Sequence, residues 1–399
     1  MQKAVSALGP APLREEALVH WIHPLFSRVL HRAGDEIYLA NHSLGRPLDQ
    51  TARDVQEALQ CWYENMDDAW EDWLTEREAF RGRIARLINA ARHDCIVPKS
   101  SAGQGLRAVL NCYDKKIGVV TTRDEFDSID LILKIYAQRG RIDLSFVAPD
   151  ELGEYSATKL LDAVGPSTAL VVVSMVFFTT GQLLTDLQDL VAGAQAKGAN
   201  VLVDLYHAAG IVPTDIHALG ADFAIGGCYK YLRGGPGAGW LYLHPRHLNA
   251  SLATVDTGWF AQPEPFKFER PATPKLAPGG NAFLESTPAI LPLYQARAGL
   301  ELTLALGVTR LRDYSLAQQR QLEESLAEAG FLVLGSPERR GGFLAIAYDR
   351  RAEVTAELGR RGIKADARDG LLRLCPDILN TEQEVRAAVA RLAEVVRAA

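Results

Sequence analysis

The sequence of 399 residues predicts an α/β protein, a large domain with a mostly parallel sheet plus a smaller α+β C-terminal domain. Three observations carry this. From about Asp94 to Leu243 short apolar runs alternate with amphipathic windows, the pattern of strand–helix–strand units. One run, Ala169 to Met175, is continuous and valine-rich, as a strand buried on both faces should be. Beyond a strong helical window at Thr287 to Leu306, short strands and helices follow in mixed order, which suggests a second unit.

Element by element, Leu13 to Leu30 has the apolar spacing of a helix. Asp49 to Ala91 reads as a long helical region. It carries Trp62, Tyr63, Trp70 and Trp73, a stripe that suits a core or a subunit contact, while Asp67, Asp68, Glu71 and Asp72 suit a solvated face. Strands are predicted at Asp94–Val97, Ile117–Thr121, Ile142–Val147, Ala169–Met175, Asn200–Asp204, Phe223–Gly226 and Gly239–Leu243. Helices are predicted between them at Gly105–Tyr113, Ser128–Gln138, Ser156–Val164 and Leu184–Lys197. Thr254 to Asn281 is rich in proline, glycine and aromatics without a period, and a loop this long inside a domain is usually functional. Thr287 to Leu306 links the domains, and Leu311 to Ala329 is another helix. Phe331–Leu334, Gly342–Ala347 and Leu371–Cys375 read as strands, Ala352–Arg361 and Glu382–Arg397 as helices. The expected division is 1–50 for an N-terminal arm contributing to the small domain or a dimer contact, 51–286 for the large domain, and 287–399 for linker helix and small domain.

Composition excludes several classes. With 48% hydrophobic and 23% charged residues the chain is ordinary globular material. A net charge of −6 offers no bulk attraction to nucleic acid or to anionic lipid. The five cysteines are widely spaced with no C-x-x-C pair, the usage of reduced thiols in a cytoplasmic protein. The nine histidines form no H-E-x-x-H set, so no metal is expected. Met1 to Pro12 lacks the charged start and apolar core of a signal peptide. No apolar run of about 18 residues is present for a spanning helix.

The chemistry concentrates in two strings. Lys230 sits in Cys228-Tyr229-Lys230-Tyr231-Leu232, just before Gly234-Gly235-Pro236-Gly237. Upstream stands Asp204-Leu205-Tyr206-His207-Ala208-Ala209-Gly210. A lysine amine that can condense with an aldehyde, and a carboxylate that can keep a pyridine nitrogen protonated, together suit pyridoxal 5'-phosphate (PLP). Either string alone has a plain reading, a solvated loop lysine or a helix-capping aspartate. Lys99-Ser100-Ser101-Ala102-Gly103 precedes a helix, and its hydroxyls and free N–H groups suit a phosphate, or a simple N-cap. Phe126, on a loop after a strand, could stack on a pyridine ring or belong to the core. His207 could contact the ring, orient Asp204, or cap. Tyr229 could reach the phosphate or shuttle a proton.

On these strings the chain resembles kynureninase, within the class V aminotransferase group of fold type I PLP enzymes. The likeness runs through Ile37-Tyr38-Leu39, Ser43-Leu44-Gly45, Phe126 with Ser128, and Ser174 to Thr180-Gly181-Gln182. It continues through the aspartate and lysine strings, Gly258-Trp259-Phe260, Thr287-Pro288-Ala289-Ile290-Leu291 and Arg373-Leu374-Cys375-Pro376. The resemblance implies a PLP-dependent transferase-like fold, a homodimer with shared active sites, and hydrolysis of kynurenine or a related aryl-ketone amino acid to an aromatic acid and alanine, in tryptophan catabolism. It implies Lys230, Tyr229 and Asp204 as catalytic residues. Ser101, Ala102, Phe126, Ser128, Ser174, His207, Trp259 and Thr287 join them around the cofactor, Thr287 from the neighbouring subunit. Arg373 would hold the substrate carboxylate. Departures fall on the substrate side. The family's Phe-Pro-Ser/Thr-Asp reads Phe126-Asp127-Ser128-Ile129, its aspartate lost or displaced to Asp130. Arg233 replaces an asparagine, and Phe283-Leu284-Glu285-Ser286 is unlike the usual form. Acids near Trp70 replace glycine and basic residues. A class V aminotransferase, epimerase or lyase acting on another amino acid is the alternative, and a non-catalytic binding protein the third reading.

Overall fold

Valine-rich runs demand burial on both faces, and the computed structural model provides it: Leu170, Val171, Val172 and Val173 are all fully buried. The structure describes residues 1–248, 252–347 and 351–398. In chain order its strands are β1 (Ile37–Tyr38), β2 (Ile96–Lys99), β3 (Ile117–Thr122), β4 (Ile142–Val147), β5 (Thr168–Ser174), β6 (Asn200–Asp204), β7 (Phe223–Gly227), β8 (Gly239–Leu243), β9 (Leu344–Ala347), β10 (Ile363–Lys364), β11 (Asp366–Arg368) and β12 (Leu371–Leu374). Seven of them form the central sheet in the order β2-β8-β7-β6-β5-β3-β4. The run β7-β6-β5-β3-β4 is parallel, and only β8 opposes its neighbours. Helices cover the sheet, and one apolar core spans it from Phe80 to Leu300.

A second core gathers Leu322, Leu344, Val354, Leu372 and Val389 around the small sheet β11-β12-β9. Ile37 and Leu39 belong to this cluster, because β1 pairs in parallel with β10. A third cluster packs Leu18, Ile22 and Phe26 against Leu302, Leu306 and Ile378. Both ends of the chain therefore meet on the same side of the molecule.

Several boundaries differ from the sequence reading. Leu13–Leu30 is two helices, Glu15–Trp21 and Ser27–Ala33, because Pro24 opens a 3₁₀ turn between them. Asp49–Ala91 breaks at Met66, whose φ of 49° ends the helix Gln50–Asn65 before Ala69–Leu87 begins. Helical apolar spacing continues through both breaks, so periodicity did not reveal them. Helix Ala102–Leu110 starts three residues earlier than expected, capped by Ser101. The linker helix starts at Leu291 rather than Thr287; Pro288 biases Thr287 away from helical backbone, whereas Pro292 sits in the first turn, where proline is tolerated. Phe331–Leu334 is not a strand and makes only a bridge at Val333. The short elements Gln2–Leu8, β1, β10 and β11 escaped the sequence reading.

The linker helix Leu291–Leu306 lies on the segment that carries Lys230. A Cβ on Gly299 would stand 2.0 Å from the Leu232 carbonyl oxygen, and one on Gly234 would stand 2.9 Å from the Ala296 Cα. Both contacts are with backbone, so no side chain can swing aside. Gly299→Ala is expected to lower unfolding free energy by about 1–3 kcal/mol, the usual cost of overpacking, as measured by denaturant titration. An unchanged midpoint would show that the helix shifts freely off the loop.

Candidate active site

Parallel strands end together, so the loops that follow them share one edge of the sheet. At that edge β2 leads into Ser101, where the serine Oγ accepts a hydrogen bond from Gln104 N–H at 3.2 Å. The following helix points its free N–H end and positive dipole at the edge. β3 leads to Glu125 and Phe126, with Ser128 in the first turn of helix Asp127–Gln138. β5 ends on Ser174 and β6 on Asp204, and these two are register partners. β7 leads to Tyr229 and Lys230.

The edge encloses a cavity of about 190 Å³. Ser101, Ala102, Phe126, Ser128, Ser174, Asp204, His207, Tyr229 and Lys230 all line it. Lys230 is buried, and its Nζ hydrogen-bonds His207 Nε2. The same nitrogen stands 5.6 Å from the ring centres of Phe126, Tyr206 and Tyr229. His207 thus meets the lysine rather than Asp204, and its Nδ1 is buried without a hydrogen-bond partner among the described residues. Backbone orients Asp204: its Oδ1 accepts from Tyr206 N–H at 2.7 Å. Its second oxygen receives no hydrogen bond among the described residues.

Burial sets the electrostatics. It depresses the Lys230 ammonium and raises the Asp204 carboxyl, and the attraction between the two works against both shifts. Burial, aided by the charge of Lys230, drives the His207 imidazolium well down, so this ring is neutral and its Nε2 can accept a hydrogen bond from the lysine. The Tyr229 phenol is pushed up by burial and by Asp204, which keeps it a proton donor at neutral pH.

Other expected residues sit differently. Arg373 on β12 is buried, with one terminal nitrogen on the Phe178 carbonyl and the other on Asp366. Phe178 lines the cavity but Arg373 does not. Its Nε–H has no hydrogen-bond partner among the described residues. Trp259 and Thr287 are joined by a hydrogen bond of 3.3 Å and lie outside the cavity of their own chain. Thr287 lines an adjoining cavity of about 220 Å³, which shares Ser100 and Gly237 with the first. Asp130 is paired with Lys134 at 2.7 Å, away from the cavity.

Two residues were missed as site components. Glu125 is buried and accepts from Ser174 Oγ at 2.6 Å, Ser174 N–H at 3.1 Å and Thr122 Oγ1 at 2.7 Å. Nothing in the string Arg123-Asp124-Glu125 separates it from a surface run of charges, so no local signal was available. Arg233, noted only as a departure, holds a left-handed backbone at φ 55°. It hydrogen-bonds the Tyr231 carbonyl at 2.6 Å and Asp377 at 2.9 Å, and Asp377 also binds Arg46. One carboxylate therefore ties the lysine loop to both ends of the chain.

The cavity fits PLP. A free carboxylate oxygen on Asp204 suits a ring N–H, Lys230 an aldehyde, the Phe126 ring a flat face, and the helix start at Ser101 a phosphate. Among the described residues no group of histidine, cysteine and acid side chains could hold a metal ion.

The profile of the family described as aminotransferase class-V matches residues 47–394. Kynureninase of Deinococcus radiodurans is 31% identical over 365 residues, 87% of this chain and 84% of that protein. Kynureninase of Bacillus anthracis is 28% identical over 395 residues, 93% of this chain and 91% of that protein. Among solved structures, a cystine C–S lyase in complex with cysteine persulfide has a TM-score of 0.81 at 21% identity, covering 91% of this chain and 99% of its own. The apo cysteine desulfurase of Thermococcus onnurineus has a TM-score of 0.79 at 19% identity, covering 92% and 96%. At such identity the structural likenesses establish the fold alone.

Lys230→Ala is expected to leave a folded protein that lacks the visible absorbance of lysine-bound PLP and turns over no substrate. A band in this variant that borohydride still reduces onto the chain would move the assignment to another lysine.

Proposed function

This chain belongs to the aminotransferase class-V family, whose cofactor is PLP, and from that premise we propose that it hydrolyses kynurenine or a related aryl-ketone amino acid to an aromatic acid and alanine. The observation that carries this reading is the likeness to kynureninases along most of the chain, at 27–31% identity, together with a cavity that gathers Lys230, Tyr229 and Asp204. The structural neighbours that act on sulfur do not outweigh it. A desulfurase needs a mobile, exposed thiol, whereas Cys228 and Cys375 are buried, with their thiols pushed up by burial.

When bound, PLP supplies an electron sink for negative charge at the substrate Cα. Asp204 holds the ring N–H that makes the sink effective. Lys230 Nζ, made less basic by burial, takes the Cα proton. Tyr229 moves a proton at the ketone, where water must then attack. Arg373 binds the substrate carboxylate through its guanidinium, a fork geometry lysine cannot copy.

The protein is further proposed to act as a homodimer, with Trp259 and Thr287 of one subunit meeting the phosphate held by the other. The two residues are hydrogen-bonded to each other, outside their own cavity, beside the exposed rings of Phe266 and Phe268. Sedimentation should then give a dimer, and Thr287→Ala should weaken PLP without unfolding the chain. A fully active monomer would remove the shared site.

Incubation of the PLP-loaded protein with kynurenine and hydroxykynurenine should yield anthranilate or its hydroxylated form, with alanine. Tyr229→Phe should lose about 10²–10⁴-fold in turnover, the range for one positioned proton-transfer group, while the PLP absorbance stays. Amino transfer to a 2-oxo acid with both kynurenines untouched would replace hydrolysis by the aminotransferase reading.

A further inference from the structure

A buried carboxylate one layer behind the cavity wall takes no part in these steps. Glu125 is only 3% exposed. Among the described residues no lysine, arginine or histidine pairs with it. It is held by three donors, the Ser174 hydroxyl, the Ser174 N–H and the Thr122 hydroxyl.

Serine has one hydroxyl proton. At 2.6 Å the Ser174 contact falls in the range of a hydroxyl donating to an ionised carboxylate. With Glu125 ionised, the proton is committed to it, and Ser174 turns only lone pairs toward the cavity it lines. Its register partner Asp204, when ionised, also only accepts. Two neighbouring strand ends therefore present acceptors side by side. We infer that Glu125 is a positioning residue that makes Ser174 an obligate acceptor, so that the cofactor edge resting on Ser174 and Asp204 must offer a donor, the protonated ring nitrogen. This rests on PLP as the cofactor and not on the identity of the substrate.

Glu125→Gln tests it, because the amide is nearly isosteric. Its NH₂ group can donate to Ser174 Oγ, which frees the serine proton to turn into the cavity and face the ring N–H. Burial pushes the Glu125 carboxyl up to about 7, so holoenzyme is compared at about pH 8.5, where the carboxyl is ionised. PLP isotopically labelled at the ring nitrogen is read by nitrogen NMR, with no substrate present. The wild type should show a protonated nitrogen. Glu125→Gln should move the resonance toward the unprotonated value and weaken PLP about tenfold, the scale of one misdirected hydrogen bond. Adding Ser174→Ala to Glu125→Gln should bring both readouts back to those of Ser174→Ala alone, since the misdirected donor is gone. An unmoved resonance in Glu125→Gln, or an equal loss of PLP with and without Ser174, would overturn the inference, the latter leaving Glu125 a merely structural acid. Should Glu125→Gln fail to fold, Ser174→Thr and Ser174→Ala decide. Threonine keeps the hydroxyl and should keep the wild-type resonance, alanine should shift it, and identical behaviour of the two refutes the role.

Discussion

The burial of one amine at the carboxyl edge of a parallel sheet is the constraint on which the rest of the site depends. Lys230 is removed from water, so its charged form is disfavoured, and Asp204 and His207 are the groups that answer that cost. A lysine that must react as a free amine needs this treatment, since in water it is almost wholly protonated at neutral pH. The same burial raises Asp204, so the two groups hold their charges through each other and through whatever fills the cavity. Neither charge is settled by its own burial alone, so the carboxylate and the lysine act as one electrostatic unit.

Holding a lysine there requires a rigid loop. The segment after Lys230 is pinned by backbone contact rather than by bulky side chains. Gly45 approaches so closely that a Cβ would stand 1.9 Å from the Lys230 carbonyl oxygen, and Gly45 N–H donates to the Tyr229 carbonyl at 2.8 Å. Gly299 presses from the linker helix on the other side. Arg233, in a backbone conformation that a large side chain rarely adopts, is kept there by its hydrogen bonds to the Tyr231 carbonyl and Asp377. Asp377 follows β12, which carries Arg373, and Arg46 follows β1. Distant parts of the sequence thus share responsibility for one side chain.

Much of the fold was legible in the sequence because alternation and burial follow from local pattern. The strands at Ile142–Val147, Asn200–Asp204 and Gly239–Leu243 were readable to the residue, the first from its apolar alternation and the others from short apolar runs. Breaks were less readable: Met66 interrupts a helical spacing that the sequence continues, and a two-residue strand such as β1 exists only because β10 lies beside it. That Lys230, Asp204 and Phe126 come to one cavity was legible where residue type and neighbourhood agreed.

Residue type and spacing along the chain suffice for the sheet-forming pattern, the cofactor chemistry and the residues on the loops that follow the strands. Packing, by contrast, chose that His207 faces Lys230, that Arg373 is already engaged by Asp366, and that Glu125 lies behind Ser174. The first and last are contacts between different strand ends, far apart in the chain, and the second depends on the register of the β11–β12 hairpin, so residue type alone could not name the partners. A carboxylate reads the same in sequence whether it is solvated or buried, and its burial and its donors come from the assembled fold alone.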